Sequence, residues 1–249
     1  QFDPIKPRIR ENISQIQFSF YSYNNHHLRF VLSLGTSIMS SGCQVPVIGI
    51  LGGIGSGKSS VVRQVDGFRF RIVDADRIGH EFLHDSQIKQ SLTDCFGQEI
   101  ISETGDVNRS ALAKRVFGDS DEQKADLQRL NQILHPAIRR EIHSQIDSAP
   151  KDVDAVILDA ALLLEGGWDA TCNWLVFVDT PQHIREQRVM QNRGWSIEEL
   201  AKREARQWSL QAKKDRADFV VDNSGTIAES AAQMKKVFTS ILPAKQTDA

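Results

Sequence analysis

Val47-Ile48-Gly49-Ile50-Leu51-Gly52-Gly53-Ile54-Gly55-Ser56-Gly57-Lys58-Ser59-Ser60-Val61-Val62-Arg63-Gln64 is the stretch from which the rest of the chain can be read. Its first five residues form an unbroken apolar run, as a buried strand does. Residues 52–59 then satisfy G-x-x-x-x-G-K-[ST] in full, and Ser60 to Gln64 can open a helix. Strand, glycine-rich turn and helix in that order are the context this motif needs to be a phosphate-binding loop. Glycines let the backbone curl until successive N–H groups face one point, and the helix N-terminus adds partial positive charge there. The expected nucleotide contacts are Gly53, Ile54, Gly55, Ser56, Gly57, Lys58, Ser59 and Ser60. Lys58 would reach the β- and γ-phosphates. The Ser59 hydroxyl would ligate a Mg²⁺ ion bridging them. The motif predicts ATP-type binding without separating kinases from ATPases or GTPases, although the N-K-x-D guanine motif is absent from the sequence.

Working outward, four further apolar runs read as buried parallel strands: Phe70–Val73, Ala155–Leu158, Trp174–Val178 and Phe219–Val221, beside Val45–Leu51. Helical patterns separate them. The expectation is an α/β protein with a doubly wound, five-stranded parallel sheet of the P-loop NTPase type. Asp74, Asp159 and Asp179 follow three of these runs, and Asp222 a fourth. In such sheets ligands gather at the carboxyl ends of strands. Each Asp is therefore either a site residue or a helix cap or turn former. The interval from Val73 to Ala155 is too long for one crossover and predicts an inserted helical lobe. Leu127, Leu130, Leu134, Ile138 and Ile142 recur at three- and four-residue spacing, as on a buried helix face. Pro136 interrupts them; it is expected to start a new helix and to hold His135 extended. Pro181 to Arg216 carries nine Lys or Arg against five Asp or Glu. Arg185 with Arg188, and Arg203 with Arg206, are three apart and should each share a helix face.

The 249 residues carry a net charge of −2. That balance gives no reason to expect nucleic acid or a membrane surface as partner. Cys43, Cys95 and Cys172 are scattered, with no C-x-x-C pair, which points to a reducing cytoplasm. Residues 1–44 read as an N-terminal extension, unstructured or not native. One alternative is an Arg-containing, acid-poor targeting peptide. The favoured one is upstream sequence before a start at Met39, because the first strand follows so closely. The expected domain is 45–245, with core segments 45–76, 152–180 and 217–240, a substrate lobe over about 77–150 and a lid over about 181–216.

Beyond the loop the residues resemble the dephospho-CoA kinase family over roughly Pro46 to Thr226. The likeness lies in Ile72-Val73-Asp74-Ala75-Asp76-Arg77-Ile78 followed by Glu81; in Phe96-Gly97, Gly105, Asn108-Arg109 and Leu112; in Leu134-His135-Pro136-Ala137-Ile138; and in Ala217-Asp218-Phe219-Val220-Val221-Asp222-Asn223. One departure is Ala161-Leu162-Leu163-Leu164-Glu165, where the family usually has Pro first. The resemblance implies transfer of the γ-phosphoryl of ATP to the 3′-hydroxyl of dephospho-CoA, as a monomer or small homo-oligomer. It implies Asp74 as the carboxylate that takes the hydroxyl proton, with Asp76 as the alternative. Arg188, then Arg193, would clamp the ATP phosphates, and Asn223 would face the adenine or simply form a turn. Asp76, Arg109, His135, Leu162 and Glu165 would serve the acceptor, although His135 could equally cap a helix. Two other readings stay open: a P-loop kinase for a nucleoside or nucleotide, and a regulatory P-loop NTPase.

Overall fold

The structure, a computed structural model, describes residues 45–118 and 120–242. The expectations for residues 1–44 and for the end of the domain at 243–245 lie outside the described residues.

Five parallel strands build the sheet: β1 (Val47–Gly52), β2 (Phe70–Asp74), β3 (Ala155–Asp159), β4 (Trp174–Asp179) and β5 (Phe219–Asp222), in the order β2-β3-β1-β4-β5. All six residues of β1 are buried, because it is the central strand with helices over both faces. Its alternating side chains feed two cores. Val47 and Leu51 join Val73, Ile78, Ile138, Ile142, Leu163 and Trp168 on one face. Ile48 and Ile50 join Val61, Val62, Met234 and Phe238 on the other. β1 pairs with β3 on one side and β4 on the other, so the chain leaves it at the point where the strand order reverses. That crevice is where an open α/β sheet holds its ligand.

The sequence expectation fails at β2 in one respect. Arg71 and Ile72 are exposed, because β2 is an edge strand with only β3 beside it.

Two groups of helices interrupt the sheet. Between β2 and β3 lie α2 (Ala75–Phe82), α3 (Ser86–Phe96), α4 (Arg109–Val116) and α5 (Asp121–Asp147). They enclose a separate core of Leu83, Leu92, Phe96, Ile100, Leu112, Val116 and Leu130. Between β4 and β5 lie α6 (Gln182–Arg193), α7 (Ile197–Glu204) and α8 (Leu210–Arg216). Outside these inserts, α1 (Lys58–Arg63) follows β1 and α9 (Ile227–Ile241) follows β5, the latter opened by a capping box of Thr226 and Glu229.

Pro136 does not begin a new helix. It sits inside α5, which runs unbroken from Asp121 to Asp147, so His135 is helical and not extended. The apolar stripe explains why. Leu130 is buried in the insert's core, Ile138 and Ile142 are buried against the sheet, and Leu134 packs against both. Burial along the whole stripe outweighs the backbone hydrogen bond that Pro136 removes, whose interior penalty is ~3 kcal/mol. Arg203 and Arg206 do not share a helix face either. α7 ends at Glu204, with Ala205 as its C-cap, and Arg206 lies in the turn beyond.

Candidate active site

The loop after β1 needs two residues with φ near +80°, and Gly55 (φ 77°) and Gly57 (φ 79°) supply them. An L side chain there would be strained. The main chain is then aimed by donors placed outside the loop. The carbonyl of Ser56 accepts Asn223 Nδ2 at 2.7 Å, Thr180 Oγ1 at 3.0 Å and an Arg188 guanidinium nitrogen at 3.3 Å. The Ile54 carbonyl lies 3.5 Å from an Arg185 guanidinium nitrogen. In a trans peptide C=O and N–H point opposite ways. Pulling these two carbonyls outward therefore turns the N–H groups of Gly57 and Gly55 into the loop. A nest of inward N–H groups at the start of α1 attracts an anion.

Lys58 and Ser59 open α1 at the floor of the crevice. A small cavity there is lined by Lys58, Ser59, Arg63, Asp74 and Asp159, with Ile50, Ile72 and Ile157 as its apolar wall. The Ser59 hydroxyl donates to Asp159 Oδ2 in a very short contact. Burial pulls the Lys58 ammonium below the usual lysine range, and Lys213 and Arg193 push the same way; Asp159 and Asp76 oppose the shift. Across the loop a cleft of about 490 Å³ is lined by residues 55–60 with Arg188, Asn192, Arg193, Asn223 and Ile227. The expected loop residues Gly55 to Ser60, with Arg188, Arg193 and Asn223, thus face one cleft.

The strand-terminal aspartates divide. Asp74 and Asp159 stand at the Lys58 cavity. Asp74 Oδ1 also accepts the Arg77 N–H at 2.9 Å, so it caps α2 and keeps its second oxygen. Asp76 Oδ2 accepts the Ala161 N–H at 3.1 Å. Burial holds the Asp76 carboxyl above the ordinary range; nearby Asp74 and Asp159 add to the shift, while the Ala161 N–H and Lys58 oppose it. Asp179 instead pairs with Lys214 at 2.6 Å, and Asp222 accepts the Ser224 N–H at 2.9 Å. In the sequence Asp159 is only one of several strand-end aspartates, with no role of its own. Its place at the end of the strand beside β1 was the available signal.

Asn223 and Arg193 reach the cleft from braced positions, and the candidates for the acceptor scatter. Asn223 is fully buried, with its Oδ1 accepting the Ser230 hydroxyl at 2.8 Å, so its side chain braces the loop and is no mere turn residue. Arg193 lies over the Trp195 ring at 4.9 Å, and Arg203 over the same ring at 4.0 Å while pairing with Glu199 at 2.7 Å. Arg109 bonds His80 at 3.0 Å. His135 packs edge-on to Trp168, 5.9 Å between centroids, and burial holds its pKa below the usual imidazole value, with Arg139 pushing the same way. Leu162 is exposed. Glu165 accepts the Trp208 N–H at 2.7 Å, which ties it to the second insert.

No cluster of three or more His, Cys, Asp or Glu able to hold a metal exists among the described residues. A hydroxyl beside a carboxylate, Ser59 with Asp159, is nevertheless the hard-oxygen donor pair that Mg²⁺ takes when phosphates and water complete its shell. No helix among the described residues is long and apolar enough to cross a membrane.

The family described as dephospho-CoA kinase matches residues 46–229. The dephospho-CoA kinase of Rhodopirellula baltica is 37% identical over 203 residues, 80% of this chain and 93% of that protein. The enzyme of that name from Enterococcus faecalis is 38% identical over 191 residues, 76% of this chain and 94% of its own. Among solved structures, TT1252 from Thermus thermophilus superposes with a TM-score of 0.66 at 29% identity, covering 79% of this chain and 97% of that one.

Proposed function

The chain belongs to the dephospho-CoA kinase family, and from that premise we infer how its own residues carry the reaction. It transfers the γ-phosphoryl of ATP to the 3′-hydroxyl of dephospho-CoA, giving ADP and CoA. The observation that carries the assignment of roles is that Lys58, Ser59, Asp159 and Asp74 line one cavity at the mouth of the phosphate loop.

The loop N–H groups and Lys58 hold the β- and γ-phosphates. Ser59 and Asp159 would hold the metal, for which we take Mg²⁺, and it would supply positive charge to neutralise the phosphate oxygens. Asp74 uses its uncapped oxygen to orient the acceptor hydroxyl and take its proton. The acceptor oxygen bonds the γ-phosphorus, the bond to the bridging oxygen breaks, and ADP leaves with that electron pair. Asp76 stands as the second carboxylate, fixing the loop at Ala161. Arg188 supplies positive charge beside the loop, and Arg193 does so once free of Trp195.

In this reading α6 to α8, within 181–216, form the lid that excludes water from the transfer. The insert over about 77–150, with Arg109 and His135, takes the acceptor, and the main chain around Asn223 faces the adenine. The scattered cysteines support a cytoplasmic setting.

The test is an acceptor panel with Mg-ATP, following ADP release. Dephospho-CoA should be the one strong acceptor. Stimulation by AMP or uridine would move the chain to nucleotide or nucleoside kinases. Acceptor-independent hydrolysis would make it an NTPase.

A further inference from the structure

Lys213 differs from every other Lys or Arg of the second insert except Arg185, because it is fully buried, at 2% exposure. Its Nζ donates to Gln207 Oε1 at 2.9 Å and lies 3.2 Å from Glu165 Oε1. The same Glu165 oxygen accepts the Trp208 N–H at 2.7 Å. The other Glu165 oxygen is buried without a hydrogen-bond partner. One ammonium thus joins α8, the turn after α7 and the loop after β3. Its neighbour Lys214, by contrast, makes a half-exposed pair with Asp179.

The node also touches the phosphate loop. Leu210, one turn before Lys213 on α8, packs where a side chain on Gly53 would go. Lys213 is close enough for its charge to act on Lys58. Burying an ion pair costs several kcal/mol of desolvation per ion, so a pair of apolar residues would stabilise this joint at least as well. A buried charge at this place therefore calls for more than packing.

We propose that Lys213 is a positioning residue for the phosphoryl transfer: through Glu165 it fixes the base of the α6–α8 insert and the loop after β3 against the phosphate loop, so that closure brings the insert down in register with Lys58. The proposal rests on the kinase reading above. No bond to Lys213 forms or breaks in the reaction.

Lys213→Met alone would leave Glu165 as an unpaired buried charge and unfold the joint for reasons unrelated to catalysis. The informative variant is Lys213→Met with Glu165→Gln. It removes both charges and keeps an acceptor for the Trp208 N–H. Thermal stability, kcat and KM for each substrate, and ADP release without acceptor are measured on wild type, Glu165→Gln and the double variant. The expected result is a double variant as stable as wild type, with transfer kcat reduced on the order of 10²-fold while acceptor-free hydrolysis does not fall, so that hydrolysis relative to transfer rises on the order of 10²-fold. Glu165→Gln, which keeps the Gln207 bond, should move the same ratio in the same direction. Wild-type kcat and hydrolysis ratio in a stable double variant would overturn the proposal. If the double variant does not fold, Lys213→Arg, which keeps a charge opposite Glu165 but changes its reach, is measured in its place, and an unchanged kcat and ratio there overturns the proposal. Wild-type protein that fails to phosphorylate dephospho-CoA would instead overturn the kinase reading.

Discussion

The phosphate loop and the second helical insert both present positive charge to the same cleft, by opposite means. The loop does it with main-chain N–H groups, held by two left-handed glycines and by carbonyls pulled outward. The insert does it with Arg188, held 3.3 Å from the Ser56 carbonyl, and Arg193, held over the Trp195 ring. Arg185, paired with Glu204, Arg203, paired with Glu199, and Arg206, 5.3 Å from the Phe117 ring, lie outside that cleft. The loop's shape thus rests on the chain's own glycines and hydrogen bonds. In the proposed reading Arg193 must leave the Trp195 ring to meet phosphate, whereas Arg188 already stands at the loop.

The sharpest way to break that contrast is at the loop. Lys58→Ala should leave no measurable transfer, and Asp74→Asn should lower kcat by ~10²–10⁴, the scale of a positioned base, in steady-state assays with dephospho-CoA. Unchanged kcat in Asp74→Asn would remove it from proton transfer. Next comes Arg188→Ala, expected to lower kcat/KM for ATP on the order of 10²-fold, as one preorganised donor is lost. Third, the raised Asp76 carboxyl predicts an acid limb in kcat/KM above the ordinary carboxylate range. Below that limb the proton stays on, and activity falls about tenfold per pH unit. Asp76→Asn, neutral at every pH, should remove the limb and leave kcat/KM near its low acid-side level throughout a pH–rate profile. Gly57→Ala should cost ~1–2 kcal/mol for the left-handed backbone, since its Cβ would also lie 3.1 Å from Asn223 Nδ2. Thermal unfolding reads that loss. Smallest of all, Arg203→Ala should change stability by less than ~1 kcal/mol, because its ion pair is half exposed. Its kcat should stay near wild type.

The same contrast explains what was legible in the sequence. The strands, their order of chemistry and the loop depend on local pattern: apolar runs, glycine spacing, Lys-Ser before a helix. Each of the five runs lies in a strand, with ends displaced by at most two residues. What was misread depends on distant partners. Pro136 stays helical because Leu134 and Ile138 meet two different cores, which no window around the proline reveals. Arg203 and Arg206 are separated by a helix end that no Gly or Pro announces. Asp159 looked like its fellow strand-end residues Asp179 and Asp222 until the sheet order put it beside Ser59. Glu165, expected at the acceptor, also has partners that no local pattern shows: Trp208 and Lys213, 43 residues or more away along the chain.

The most direct test is a crystal of the chain grown with Mg²⁺, a non-hydrolysable ATP analogue and dephospho-CoA. The β- and γ-phosphates should lie inside residues 52–59, with the metal on Ser59 and Asp159 and the 3′-oxygen within hydrogen-bond reach of Asp74. Nucleotide bound elsewhere, or a 3′-oxygen remote from both Asp74 and Asp76, would contradict the account.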